Sequence, residues 1–306
     1  MAGGPVKAGK KVRFLSGVQP SGKLHLGNYF GALKQHIELQ KEGEAFYFIA
    51  NYHAQTTVQD PEELAGLVRD VALDYLALGL DPKRAVFFRQ SDVPEVSELA
   101  WILSCVTPKG LLDRATSYKD KVQRGISASV GLYFYPVLMA ADILIYRSNI
   151  VPVGEDQIQH IEMTRNMAQA FNRTYGETLP VPVHRLDAGA KVPGVDGQKM
   201  SKSYDNTIDI FDAGKSLKKK AMSIVTDSTP LEAPKDPDKC NVFAIYSLVA
   251  GEKEREEMRG RYLAGGFGYG DAKKMLYERI EEYFQPFREE RKRMEKDPGY
   301  VEAVLA

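Results

Sequence analysis

At 306 residues the chain can bury a full core and is long enough for one large domain with a smaller one beside it. Its 43% hydrophobic and 27% charged content are those of an ordinary globular protein. Its two cysteines, Cys105 and Cys240, are too few for a disulfide framework or a cysteine-built zinc or iron–sulfur site. A net charge of zero neither suggests nor excludes a nucleic-acid partner; no apolar run is long enough for a bilayer and Met1–Lys11 lacks the apolar stretch of a secretory signal, so a cytoplasmic protein is expected.

In chain order, Val12–Leu15 reads as a short apolar strand ending in Ser16 and Gly17, followed by a loop with Pro20, Ser21 and Gly22. A helix is predicted from about Gly27 to Lys41, with Leu33, Ile37 and Gln40 on successive turns. Ala45–Ala50 is a nearly continuous apolar run, as expected of a strand covered on both faces. Pro61 opens a long helix that Gly79 ends, and Ala85–Arg89 is a third strand. Val151–Val153 is a fourth strand, leading through Gly154 into a helix to about Phe171. Strands alternating with helices of this length predict an α/β fold with a parallel, doubly wound, Rossmann-like sheet. From about Asp205 onward the segments 215–225, 241–250, 252–263 and 270–296 have helical spacing. A catalytic domain over 12–204 and a smaller all-helical domain over 205–306 are therefore expected.

Chemistry gathers at two places. The run from Gly17 to Asn28, GVQPSGKLHLGN, lies between the first strand and the first helix, where doubly wound sheets bind ligands. Small residues there admit a nucleotide to the backbone, and a helix N-terminus offers N–H groups to phosphates. Such turns also serve plain packing, and a lone His25 would more often be a loop histidine than a catalytic one. The second place is Lys199–Met200–Ser201–Lys202–Ser203, set among Gly189, Pro193, Gly194 and Gly197 and read as a mobile loop. Two loop lysines are usually idle. In a string that follows an HxGN turn by about 170 residues, they can close on a triphosphate and spread the charge of its displacement. Basic residues also cluster at Lys119–Lys121–Arg124, Lys218–Lys220 and Arg288–Arg291–Lys292–Arg293. A solvated helix face is the ordinary reading of any one cluster, although together they could neutralise a polyanion.

His25–Leu26–Gly27–Asn28 and KMSKS resemble the paired ATP motifs of the class I aminoacyl-tRNA synthetases. Tyr135–Pro136–Val137–Leu138–Met139–Ala140–Ala141–Asp142–Ile143 and Val151–Pro152–Val153–Gly154–Glu155–Asp156–Gln157 resemble the tryptophanyl-tRNA synthetases in particular, and the similarity runs from about Val12 to Ala306. The side chains agree with that choice. Indole offers one N–H that only donates, so its pocket needs a buried acceptor, and Asp142 inside the apolar run 138–145 supplies one. An aspartate is more often a surface cap or ion-pair partner, but that fate explains this run poorly. The tyrosine enzymes typically carry a Gln three residues before this Asp, where Met139 stands here. A phenol both donates and accepts, so one Asp in an apolar wall leaves half of it unpaired.

The resemblance implies further roles, position by position. Gln19 reaches the substrate carboxylate and α-phosphate, and Pro20, Ser21, His25, Gly27 and Asn28 line the phosphate site. Gly154, Glu155 and Asp156 contact the ribose, Val192 meets adenine through its backbone, and Lys199, Met200, Ser201, Lys202 and Ser203 complete the ATP contacts. Lys121 reaches the phosphates and joins Gln19, Lys199 and Lys202 as a catalytic group. Tyr135 and Gln157 hold the α-amine, while Asp142, Met139, His53, Val151 and Val153 surround the side chain. For His53, Tyr135 or Lys121 taken singly, packing or surface exposure would be the default. Leu15 departs from the pattern, since relatives can have an aromatic there.

The reaction implied is activation of L-tryptophan by ATP to tryptophanyl-adenylate, with Mg²⁺ carried on the ATP phosphates and no protein metal site. Transfer to tRNA(Trp) follows, in a homodimer whose helical domain reads the anticodon. Three alternatives stay open at this level. They are a tyrosyl-tRNA synthetase-like ligase, a paralogue that activates tryptophan without charging tRNA, and a phosphopantetheine-type nucleotidyltransferase, which shares an HxGH turn but gives no reason for KMSKS.

Overall fold

The computed structural model describes residues 12–115, 118, 123, 125, 128–186 and 189–306. The chain forms two compact units, one of Met1–Gly22, His36–Asp187 and Asp297–Ala306, the other of Lys23–Gln35 and Ala188–Lys296. These units follow a different division from a boundary after residue 204. Non-local backbone bonds explain why. In the second unit, Leu26 N–H donates to Ile208 O (2.9 Å), Ile210 N–H to Leu24 O (3.1 Å) and Val225 N–H to Val195 O (2.8 Å), which joins the KMSKS segment to the helical part. In the first unit, the last helix, Pro298–Leu305, packs on the third strand and on the helix Pro61–Ala77.

Among the described residues, the first unit is built on a parallel sheet of β1 (Arg13–Val18), β2 (Glu44–Ile49), β3 (Ala85–Arg89), β4 (Ile150–Val153) and β5 (Val183–Leu186). The strand order is β3-β2-β1-β4-β5, so the connection reverses direction between β1 and β4. Phe14, Leu15, Tyr47, Phe48 and Ile49 are buried, as the apolar runs of a twice-covered sheet require. The fourfold strand–helix pattern read from the sequence is present, while β5 is an addition. Its residues include His184 and Arg185, and Leu186 is exposed, so this edge strand lacks the apolar run that marks the others.

The helix expected from Gly27 runs from Leu26 to Lys41, with a π-helical stretch at Tyr29–Leu33. Asp60 caps Pro61–Ala77 by accepting from Glu63 N–H (2.8 Å), and Gly79, at φ 104°, lets the chain leave it. Glu95–Val106, Val130–Ile145 and Ile158–Tyr175 pack together through Ala100, Leu103, Val137, Ala140, Ala141, Leu144, Met163 and Met167, all buried. Several alanines on the facing surfaces allow these helices to approach closely.

The second unit is helical over Gly214–Ser223, Asn241–Val249, Glu252–Ala264 and Tyr269–Glu295. Leu276, Ile280 and Phe284 give the longest of these a fully buried stripe at helical spacing, against which the helices 214–223 and 241–249 pack.

Candidate active site

The sequence places several polar groups of the first unit just past the carboxyl ends of strands. Gln19 follows β1, the short helix Asn51–Ala54 carrying His53 follows β2, the 3-10 turn Gln90–Asp92 follows β3 and Gly154–Gln157 follow β4. Because the strands are parallel, all four ends lie on one edge of the sheet, the edge at which open α/β sheets bind ligands.

Asp142 comes from the helix Val130–Ile145 and is only 1% exposed. Its carboxylate is met by His53 Nε2 at Oδ2 (2.8 Å) and by Gln90 Nε2 at Oδ1 (2.8 Å) and Oδ2 (2.9 Å). Burial pushes the Asp142 carboxyl above its ordinary range, while the bonds from His53 and Gln90 work in the opposite direction. Beside it stands an apolar wall in which Leu15, Phe48, Ile143, Val151 and Val153 are buried and Met139 packs against them. Five expected residues of the tryptophan side-chain pocket thus fall in one neighbourhood: Asp142 and His53 as the polar node, Met139, Val151 and Val153 in the wall.

Tyr135, on the same helix as Asp142, brings its hydroxyl to His160 Nε2 (2.6 Å), and its ring meets the His53 ring edge to face. Gln157 N–H donates to Gly154 O (3.0 Å), and the Gln157 amide donates to Asp156 Oδ2 (2.8 Å). At Gly154 a Cβ would lie 2.8 Å from Asp156 Oδ1, the end of an exposed side chain that can turn aside. Gln19 and Ser21 are exposed at the end of β1, and Pro20 is buried.

In the second unit His25, 5% exposed, caps the segment Leu26–Asn28. Its Nδ1 accepts from Asn28 N–H (3.3 Å) and its own N–H donates to Asn28 Oδ1 (3.1 Å). Burial, then the charge of Lys202, lowers the His25 pKa to about 4, with Asp209 opposing the shift. The ring is therefore neutral at neutral pH, and since Nδ1 accepts, its proton sits on Nε2 as a donor.

The KMSKS segment is tied to this turn. Gly27 N–H points at Met200 Sδ (3.3 Å), and a Cβ on Gly27 would sit 3.2 Å from Met200 Cβ and 2.9 Å from His25 Nδ1. Met200 N–H donates to Val192 O (2.9 Å), which holds Val192, another expected ATP contact, against the motif. The loop owes its shape to Asn206, 1% exposed. Its Oδ1 accepts from Ser201 N–H (2.7 Å), and its Nδ2 donates to Asp196 Oδ1 (2.7 Å) and Lys199 O (3.2 Å). The Ser201 and Ser203 hydroxyls are bonded to each other (2.8 Å). Lys199 and Lys202 are exposed at the surface. The surrounding protein nevertheless lowers the Lys202 ammonium below the ordinary lysine range, with Asp209 acting against that.

Lys121 lies outside the described residues. The basic cluster at 288–293 is open at Lys292 and Arg293 but not at Arg288. Arg288 is 7% exposed and donates to Asp212 O (2.8 Å), Glu281 O and Glu281 Oε2 (3.1 Å). Arg291 pairs with Glu295 and lies over the Phe211 ring, and Arg293 pairs with Glu290. Gln90, His160 and Asn206 were not singled out from the sequence. Gln90 follows a strand end, as the expected residues do, and Asn206 follows KMSKS by three residues, so a signal existed for both.

Comparison with known proteins agrees with this arrangement. A family model described as tRNA synthetases class I (W and Y) matches residues 7–285. The tryptophan–tRNA ligases of Rhodopirellula baltica and Fusobacterium nucleatum are each 55% identical over 296 residues, 96% of this chain and 92% and 90% of theirs. The crystal structure of Campylobacter jejuni tryptophanyl-tRNA synthetase with ADP and tryptophan superposes with a TM-score of 0.92 at 52% identity, covering 96% of this chain and 92% of that one. The chain belongs to the class I tRNA synthetases for tryptophan and tyrosine, and among them to the tryptophanyl-tRNA synthetases.

Proposed function

We propose that this chain is a tryptophan–tRNA ligase, which activates L-tryptophan with ATP and transfers it to tRNA(Trp). The observation that carries the substrate choice is Asp142, a buried carboxylate held by His53 and Gln90 beside a wall of Met139, Val151 and Val153. A donor-only indole N–H needs such an acceptor, and the apolar wall takes the rest of the ring. Tyr135 and Gln157 bind the α-amine and leave the carboxylate free to react.

A tryptophan carboxylate oxygen attacks the α-phosphorus of ATP, and the bond to pyrophosphate breaks in line. No protein nucleophile is needed, so catalysis consists of positioning and charge stabilisation. Lys199, Lys202 and the Nε2–H of His25 serve the phosphates, with Gly27 and Asn28 lining the same place. Gln19, Pro20 and Ser21 serve the carboxylate and α-phosphate, and Gly154, Glu155 and Asp156 serve the ribose. Lys121 is assigned to the phosphates as well. Among the described residues no group of three metal-binding side chains stands together, and Mg²⁺ is assigned to the triphosphate itself.

The helical unit is assigned to tRNA, and exposed Lys215, Lys218 and Lys219 on the helix Gly214–Ser223 supply charge for it. Trp101 (71% exposed) and Ile102 (41%) on the helix Glu95–Val106 support a homodimer, since large apolar side chains in the open mark association surfaces. A cytoplasmic location accords with this function, and no helix among the described residues is long and apolar enough to cross a membrane. The test is ATP–pyrophosphate exchange with each of the twenty amino acids, followed by aminoacylation of bulk tRNA. Exchange dependent on tryptophan, with a charged tRNA(Trp) product, is expected. Exchange dependent on tyrosine, or exchange without charging, would replace this reading.

A further inference from the structure

The Asp142 carboxylate is held by a residue that no part of the proposed reaction uses. Gln90 stands immediately after β3 and is fully buried. Its Oε1 accepts from two backbone donors, Tyr52 N–H (3.0 Å) and His53 N–H (3.4 Å). A backbone N–H can only donate, so the amide oxygen must face the turn at 52–53 and the amide NH₂ must face Asp142. The orientation of this amide is thus fixed by its surroundings.

Two consequences follow. First, Nε2 reaches both oxygens of Asp142, at 2.8 and 2.9 Å, and His53 Nε2 reaches Oδ2 at 2.8 Å. A carboxylate has about four lone-pair sites, so with Oδ2 doubly engaged, Oδ1 keeps the spare capacity for one more donor. Second, a donor fixed in front of both oxygens favours the ionised acid, which burial alone would oppose. Gln90 also binds Asp142, the turn that carries His53 and the end of β3 into one unit, so the acceptor cannot shift without breaking several bonds.

We propose that Gln90 is the positioning residue of tryptophan recognition, holding Asp142 as an ionised acceptor with Oδ1 directed at the indole N–H. This rests on the reading of Asp142 as the indole acceptor. The ionisable groups near Asp142 are His53 on the turn after β2, Tyr135 beside His53, and Tyr146 at the C-terminal end of the helix that carries Asp142, whose phenol burial pushes up, with Asp142 and then Glu95 adding to the shift. All remain in place in the variants below, so they cannot produce opposite pH responses between them.

The test uses tryptophan and L-3-(3-benzothienyl)alanine, in which sulfur replaces the indole N–H, with affinity measured calorimetrically from pH 5.5 to 8.5. Gln90→Met keeps the side-chain length and removes both polar groups. Tryptophan affinity is expected to fall about ten- to a hundredfold, the range for losing a buried hydrogen-bond partner, and the sulfur analogue to change by less than twofold. With the Gln90 bond gone, burial is opposed by His53 alone and raises the Asp142 carboxyl further, so tryptophan binding by this variant weakens as pH falls. Gln90→Glu sets two carboxyl groups face to face, which must share a proton to stand in the native arrangement. Its tryptophan binding approaches that of the wild type at low pH and weakens as pH rises. Unchanged binding of the analogue shows that each variant is folded. Equal loss of both ligands in Gln90→Met, or pH responses of the same sign in the two variants, would overturn the proposal. Equal affinity of the wild-type protein for the two ligands would instead overturn the reading of Asp142 on which it rests.

Discussion

Two buried polar side chains, Asp142 in the first unit and Asn206 in the second, are each 1% exposed and each tied by three hydrogen bonds, yet they do opposite jobs. Asp142 is held from behind by Gln90 and His53 so that one oxygen keeps capacity, and under the proposed function the buried group is itself the contact. Asn206 spends its amide on Asp196, Lys199 O and Ser201 N–H, and the groups proposed for the ligand are the exposed lysines of the loop it holds. The difference follows from what is recognised. An indole N–H is a single weak donor that must be met away from competing water, where an acceptor is worth most. A triphosphate is a strong anion that surface lysines can meet, provided their loop is held in the right shape.

The sharpest break of this comparison removes the exposed charge on the phosphate side. Lys202→Ala should lower the rate of adenylate formation roughly 10²–10³-fold with tryptophan affinity little changed, because a charge aimed at the transition state acts on kcat. Single-turnover adenylation with separately measured tryptophan binding checks it. A large loss of tryptophan affinity at an intact rate would give the loop another task. On the amino-acid side the pattern reverses. Asp142→Ala should cost tryptophan affinity about a hundredfold, since it removes the acceptor and strands the donors of Gln90 and His53. Asp142→Asn should cost only about tenfold, because a neutral acceptor replaces a charged one. Equal effects of the two substitutions would mean that charge is irrelevant at this site.

Asn206→Ala tests whether the loop owes its shape to one side chain. It deletes the bonds to Asp196, Lys199 O and Ser201 N–H at once, and Asp196 then loses the main cause of its lowered pKa. A roughly tenfold fall in adenylation rate is expected, without change in tryptophan affinity. A variant as fast as the wild type would show that the loop takes its shape from elsewhere. Replacing Lys215, Lys218 and Lys219 together should reduce tRNA charging several-fold and flatten its salt dependence, leaving pyrophosphate exchange intact.

Much of this was legible in the sequence, for identifiable reasons. β2 and β3 carry apolar runs, the KMSKS string stands out, and an aspartate inside the apolar run 138–145 pointed to a buried acceptor, which the 1% exposure of Asp142 matches. What was missed depends on partners distant in sequence. Arg288 reads as one of four clustered cations, but Asp212 and Glu281 bury it. Gln90 acquires meaning only through Tyr52, His53 and Asp142, up to 52 positions away. β5 has an edge strand's mixed composition, and the packing of 189–204 with later helical residues is carried by backbone bonds that leave no mark on side-chain pattern.

The last expected effect is on stability and concerns His25, and its sign can be worked out. Burial and the Lys202 charge hold its folded-state pKa at about 4, against an ordinary value of 6.5, with Asp209 opposing. The native ring therefore stays neutral while the unfolded chain takes up a proton first as pH falls. Stability from this site is complete above about pH 6.5 and drains away between there and about pH 4. His25→Asn keeps an acceptor in the cap but has nothing to titrate, so its stability relative to the wild type should improve steadily across that window. Urea midpoints at pH 7.5, 6 and 5 measure the change. A constant difference at all three would mean that His25 is protonated as readily in the folded protein as in the unfolded one. The Nε2–H assigned to the phosphates would then belong to an imidazolium near pH 6, and an acid limb tracking His25 would appear in the adenylation rate.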